Sequence, residues 1–359
     1  MKIVKIVFIL LLVAVVAVAG FSYWLFSSLN AKHEHAMADE YIRIEKGTPP
    51  REIISQLANQ GIISSAFPVF FYVRTMGDAS KLQAGDYQFP SPITPLEVLK
   101  ELEKGESLTT KLTIPEGFTR FDIAKRIAER FPQQPPADEK AILTLMDDTT
   151  LIRDLAPEAK NLEGYMYPST YTFPRQTDAK DIIRAMVDQF KKSWKPEWTE
   201  AARSRSLSPH EIVTKASLIE TETSVESERP IVAGVINNRL SKGMALGIDQ
   251  TNVYIAKMLG RWDGTIHKSD LEVNSPYNTR INPGLPPGPI SSVTASSIEA
   301  ALFPASHDYI FYVLNVDAND GSHWFYSSAA EFERGKAKYQ QWLEQQRVEK
   351  RAQQSNSSQ

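Results

Sequence analysis

Four glutamates, Glu220, Glu222, Glu226 and Glu228, crowd the stretch ASLIETETSVESERP that runs from Ala216 to Pro230. A carboxyl set beside apolar surface is pushed toward its neutral form and can serve as a general acid near neutral pH. The competing reading is an ordinary solvated junction between two helices. Other chemistries lack residues to carry them. The chain has no cysteine, which removes thiol nucleophiles, disulfides and thiolate metal sites. Its six histidines form no metal-binding pattern, and the nearest approach, HEIVT at His210–Thr214, puts threonine where a zinc motif needs its second histidine. No G-x-S-x-G elbow, P-loop or G-x-G-x-x-G occurs, so neither a metal nor a cofactor is expected. Carboxylate chemistry is what remains.

The element that must position these carboxyls is well marked. Ser208, Pro209 and Glu211 form an N-terminal capping box, and a helix follows to about Thr223. At about 100° per residue, Ile212, Ala216 and Ile219 share one stripe, while Glu220 and Glu222 lie roughly 200° apart on its two flanks. They cannot form a side-by-side dyad, and helical phase leaves them tied as candidates. Thr223 and Glu226 read as a capping box for the next helix, with Glu228 in its first turn, where a negative charge suits the helix dipole.

The rest of the chain reads as α+β, an apolar N-terminal helix followed by a small module and a larger domain. Residues 1–5 are a basic stub. Residues 6–26 carry no charge and match the length needed to cross a bilayer. Lys2 and Lys5 place the N-terminus in the cytoplasm and the remaining chain outside. The alternative, a signal peptide cleaved after Ala17–Ala19, has to explain why the apolar run continues through FSYWLF. A polar linker is expected over 27–40, with His33 and His35 solvated. Residues 41–107 give strand, helix, helix, strand, and a further helix at Thr94–Gly105. A second strand-turn-helix echo, KLTIPEGFTRFDIAKRIAERF, opens a larger domain over 108–347, with a Pro-rich surface break at FPQQPPADEK and a polar tail at 348–359. A net charge of −3 and a pI near 6.1 give no basic field, so nucleic acid is not an expected partner.

The order of LEGYMYPSTY, ASLIETETSVESERPIVAGVINNRL, IDQT, SPYNTR, GLPPGPI, AALFPA and GSHWFYSSAAEF, behind a single apolar span, resembles the YceG-like family of endolytic murein transglycosylases. The resemblance extends from about Tyr41 to Tyr339. It implies a LysM-like, glycan-binding first module and a catalytic domain that cuts the glycosidic bond between N-acetylmuramic acid and N-acetylglucosamine. The implied product is a 1,6-anhydro end. In the family's E-x-E-T motif the catalytic glutamate is the second, which here is Glu222. Glu163, Asn238, Arg239, Asp249, Thr251, Tyr277, Asn278 and Thr279 fall in further family motifs and are candidate substrate-binding residues, each equally readable as support for the groove. The implied partners are peptidoglycan strands, the inner membrane and cell-wall synthases (penicillin-binding proteins), with the catalytic domain periplasmic. Two departures stand out: Ile248 and Gln250 flank Asp249 where the family has threonine and proline, and Ser169 stands where it has aspartate. A non-catalytic peptidoglycan-binding scaffold and a muramidase hydrolase are the rival readings.

Overall fold

The computed structural model describes residues 2–45, 47–105, 109–131, 138–175 and 177–357. The expected boundary at 107/108, most of the Pro-rich break (132–137) and the last two residues of the tail lie outside them. The chain divides into two compact units, Met1–Thr110 with Thr172–Gln176, and Lys111–Tyr171 with Thr177–Gln359.

In the first unit the apolar run folds as one helix, α1 (Lys2–Asn30), of which Val4–Asn30 is long and apolar enough to cross a membrane. It does not end where a solvated linker was expected. Leu25 and Leu29 are buried in the module's own core, so the last turns of the helix belong to the module. The chain beyond stays docked: His33 exchanges backbone hydrogen bonds with Ile93, and its Nε2 lies 3.0 Å from the Gly61 carbonyl. His35 Nε2 similarly lies 3.1 Å from the Pro90 carbonyl. Both histidines are tied to backbone instead of being free in a stalk.

The module follows the expected order. Strand β1 (Ile42–Ile44) pairs antiparallel with β2 (Gly85–Tyr87), and between them lie α2 (Pro50–Asn59) and α3 (Ala66–Thr75). Pro50 opens α2 at a position with no hydrogen bond to lose. Ile53, Ile54 and Leu57 recur on one face and are buried against Ile42, Ile44 and Tyr87. A Thr94–Glu97 capping box starts α4 (Pro95–Lys104), and Gly105 at φ 64° stops it in a conformation open to glycine.

The echo takes the form of β3 (Thr109–Thr113), which crosses from the first unit into the larger one, followed by α5 (Arg120–Arg130), capped by Thr119 and Asp122. Then come α6 (Glu139–Met146), β4 (Thr170–Pro174), which pairs with β3, α7 (Ala179–Ser193) and α8 (Pro196–Ser204). The central element is α9 (Pro209–Glu222), with the Ser208–Glu211 capping box as read. Its single apolar stripe is not what forms. Every residue from Ile212 to Glu220 is buried, because α8, α10 (Arg229–Ser241), α11 (Asp249–Met258) and α13 (Ala295–Leu302) pack around it. Its polar residues are satisfied internally: Thr214 donates to the His210 carbonyl at 2.8 Å, Ser217 to that of Thr214 at 2.7 Å, and the Lys215 ammonium to Asn237 at 2.7 Å. Close approach also sets a glycine beside α9. Gly164 has φ 83°, and a β-carbon there would sit 2.6 Å from Pro289 and 2.9 Å from Val213.

After the short α12 (Lys268–Leu271), a hairpin of β5 (Phe311–Leu314) and β6 (His323–Tyr326) precedes α14 (Ala329–Ser357). The helix passes through the expected end at Arg347, so the polar tail is helical as far as Ser357.

Candidate active site

Buried α9 presents its last residue, Glu222, partly exposed at its C-terminal end. The hairpin supplies the partner: the Tyr312 hydroxyl donates to Glu222 Oε2. Burial is the largest influence on the Glu222 carboxyl and pushes it toward the protonated form. Tyr312, His323 and Arg239 pull the other way, while the Asp249 charge adds to the upward push. The net direction is up.

Glu220 has a different fate. Its Oε1 accepts from Arg229 Nη2 at 2.9 Å, and its Oε2 accepts from the Thr294 backbone N–H at 2.8 Å and hydroxyl at 2.7 Å. Thr294 is the N-cap of α13, so Glu220 ties the end of α9 to the start of α13. With its side chain 1% exposed and both oxygens engaged, it is a buried structural ion pair. The two glutamates that helical phase left tied are thus separated by what packs on each flank.

The Thr223–Glu226 capping box does not form. Thr223 closes α9 and its hydroxyl accepts from the Val225 N–H at 3.0 Å, which leaves Glu226 exposed with no capping bond. Glu228 is not a solvated first-turn charge either. It is buried, accepts the His323 backbone N–H at 2.7 Å, and holds His323 Nδ1 at 2.8 Å and the Thr223 hydroxyl at 3.2 Å. A nitrogen that close to a carboxylate is the protonated one. Glu228 therefore pins the hairpin to the loop that follows Glu222. Across the hairpin face, His323 stands edge-on to the Tyr312 ring at 5.6 Å. Tyr312, His323 and Glu228's tether escaped the sequence reading. Their signal is the register: Tyr312 pairs with Phe325, two residues from His323, so all three share a face.

Most motif residues hydrogen-bond the backbone of segments around the site. Asn238 donates to the carbonyls of His307 and Tyr309 at 2.8 and 2.9 Å, fixing the segment that leads into β5. Arg239 donates to the Ile310 and Leu246 carbonyls at 2.6 and 2.5 Å, with its guanidinium 5.3 Å from the Phe311 ring centre, and its charge favours ionised Glu222. Thr251 and Thr279 are buried and bonded to each other at 3.1 Å around Ile248, whose N–H and carbonyl they accept and satisfy. Asn278 donates to the Leu271 and Val273 carbonyls at 3.0 and 2.9 Å. Asp249 is exposed and paired with Arg280.

Glu163 and Tyr277 belong to a second cluster. Glu163 is 1% exposed, accepts the Arg120 backbone N–H at 3.1 and 2.9 Å, and is raised to about 7 chiefly by burial. The Tyr277 ring packs on that of Tyr254 at 5.1 Å, and Tyr254 bonds Glu163. Glu163 is thus a buried hydrogen-bond partner. Among the described residues no three histidine, aspartate or glutamate side chains converge as metal ligands.

The fold and the site define a class: an α+β domain that exposes one desolvated carboxyl at the end of a buried helix, with a tyrosine hydroxyl seated on one of its oxygens. The sequence profile of the YceG-like family matches residues 42–338, and the chain belongs to that family. It is 33% identical over 314 residues to the endolytic murein transglycosylase of Bacillus subtilis strain 168, covering 83% of this chain and 84% of that protein. The endolytic murein transglycosylase of Streptococcus pneumoniae D39 is 28% identical over 327 residues, covering 83% of this chain and 58% of that protein. A 2.6 Å crystal structure of a YceG-like protein from Listeria monocytogenes aligns with a TM-score of 0.55 at 33% identity, covering 82% of this chain and 98% of that one.

Proposed function

We propose that the protein is a membrane-anchored endolytic murein transglycosylase in which Glu222 acts first as acid and then as base. The single observation that carries this is the state of Glu222: held toward its neutral form by burial, with Oε2 occupied by the Tyr312 hydroxyl and Oε1 left to react. Protonated Oε1 gives its proton to the glycosidic oxygen between N-acetylmuramic acid and N-acetylglucosamine as the C1–O bond breaks. The oxocarbenium-like sugar is closed by its own C6 hydroxyl, whose proton returns to Glu222 as the C1–O6 bond forms. No water is consumed, and a 1,6-anhydro end results. Tyr312 and the positive charge of Arg239 stabilise the carboxylate between the two transfers.

On this reading α1 crosses the inner membrane with the N-terminus in the cytoplasm and both units in the periplasm, where glycan strands and their synthases are the partners. The small module is LysM-like and binds glycan. Its β-α-α-β order supports this, as does a cleft of about 680 Å³ lined by Arg43, Glu45, Thr48, Gln56 and Asn59, side chains suited to sugar hydroxyls and acetamides.

One observation favours a second reading. Hydrolytic glycosidases use two carboxylates, and Asp249 acts on Glu222 through its charge. Incubating the protein with purified sacculi and separating the products by mass decides. Anhydro-muropeptides are expected. Reducing-end muropeptides, abolished by Asp249→Asn, would establish a hydrolase, and binding without products would establish a scaffold.

A further inference from the structure

We propose that the outer face of α3, led by Phe67 and Phe71, inserts into the headgroup and acyl boundary of the bilayer that α1 crosses, seating the small module on the membrane surface. The inference rests on reading α1 as a membrane span. Along that helix the side chains from Ile6 to Val18 are open, whereas Leu25 and Leu29 are 5% and 4% exposed inside the module's core. No spacer separates the span from the module. The meeting point lies within the apolar run itself: the Phe71 ring stands edge-on to Phe21 at 5.1 Å, and the Phe67 ring lies 6.1 Å from Trp24.

Depth follows from helix geometry. Phe21 is six residues before Ser27, where the apolar run ends, or about 9 Å along the axis toward the bilayer centre. An interfacial helix buries its apolar face about 5–10 Å into the headgroup and acyl boundary. The first turns of α3 therefore stand at that level, beside Tyr23 and Trp24, the residue types that concentrate there.

The face α3 turns away from the module has matching chemistry. Pro68, Val69 and Val73 are buried in the core, while Phe67 is 58% exposed. Phe67 and Phe71 follow at helical spacing on one side, Phe71 half-buried against the core and Phe67 open beside the half-exposed Trp24. In water this aromatic patch would be an association hazard. Contiguity with the span makes lipid its occupant.

The absence of cysteine in the chain makes the test direct. Single variants Val13→Cys, Phe67→Cys and Ser204→Cys of the full chain are labelled with a nitroxide and reconstituted, one molecule per nanodisc, in phosphatidylethanolamine and phosphatidylglycerol. Collision rates are measured with oxygen, which concentrates in the bilayer, and with a water-soluble nickel chelate. Position 67 is expected to show a higher oxygen rate and a lower nickel rate than exposed Ser204, and a shallower depth than Val13. Rates at 67 equal to those at Ser204 would overturn the proposal. So would low rates with both reagents in discs loaded with two molecules and dipolar broadening, which would show a second copy covering α3. A water-like signal at Val13 would instead remove the anchor reading itself.

Discussion

Replacing Tyr312 with phenylalanine removes one hydroxyl from Glu222 and leaves the ring that meets His323 and Phe325 at 5.6 and 5.9 Å. A hydrogen bond to a charged acceptor is worth about 1.5–3 kcal/mol and one to a neutral acceptor about 0.5–1.5 kcal/mol. The variant therefore costs the carboxylate roughly 1–1.5 kcal/mol more than it costs the acid. At about 1.4 kcal/mol per pH unit, the Glu222 pKa rises by about one unit. The sign agrees with the structure, where the Tyr312 bond lowers a carboxyl that burial raises. Because the free enzyme must hold the proton to begin, kcat/KM falls as pH rises through this pKa, and the alkaline limb should move up by about one unit. The lost stabilisation of the carboxylate should also lower the rate at the optimum by about tenfold. Release of anhydro-muropeptides from sacculi across about pH 4 to 9 measures both effects, with thermal melting to confirm that the variant is folded. A folded Tyr312→Phe protein whose alkaline limb stays in place, or moves to lower pH, would refute the assignment of Glu222 as the acid held by this hydroxyl.

Glu222→Gln should lose at least about 10²-fold in activity. Its melting temperature should nonetheless gain on the parent's as pH rises above the ordinary glutamate value of 4.5, because a carboxyl raised by burial stabilises the fold only while protonated and loses that contribution as pH climbs. Glu220→Gln should instead cost stability, about 3–5 kcal/mol as expected for breaking a buried pair, seen as a lower melting temperature at all pH values where the carboxylate is ionised. Glu163→Gln tests the second cluster. With Glu163 raised from 4.5 to about 7, its contribution is full below 4.5 and lost by about 7, so the stability of the variant relative to the parent should improve by up to about 3 kcal/mol between pH 4.5 and 8. A difference that stayed flat with pH, measured by urea unfolding, would show that Glu163 remains ionised throughout.

What the sequence made legible was local. The capping box at Ser208 needs only residues three positions apart, and it formed. The long apolar helix and the module's element order were equally readable. Helical phase correctly kept Glu220 and Glu222 apart, yet it could not rank them, because the ranking depends on groups far along the chain. Glu220 is consumed by Thr294, 74 residues away, and Glu222 is met by Tyr312, 90 residues away. The hairpin that delivers Tyr312 is closed by residues 315–322, too long a connection to fix a register by turn type. The misreading of Glu228 as an ordinary helix-start charge has the same origin: His323 arrives from 95 residues away and takes Glu228 out of water.

The motif residues carry a further lesson about polar side chains in this fold. Asn238, Arg239, Thr251, Asn278 and Thr279 looked equally suited to sugar and to support, and each is spent on backbone groups of irregular segments. Those segments lack strand partners, so their buried carbonyls and N–H groups require side-chain donors and acceptors. This also accounts for the departures around Asp249. Ile248 is 2% exposed and its backbone is held by Thr251 and Thr279, while Gln250 is exposed, so the turn is fixed by the two threonines whatever stands at 248 and 250. Ser169 likewise contributes its backbone carbonyl to Ile114 and exposes its side chain. The loops are thus held in shape by their own side-chain hydrogen bonds.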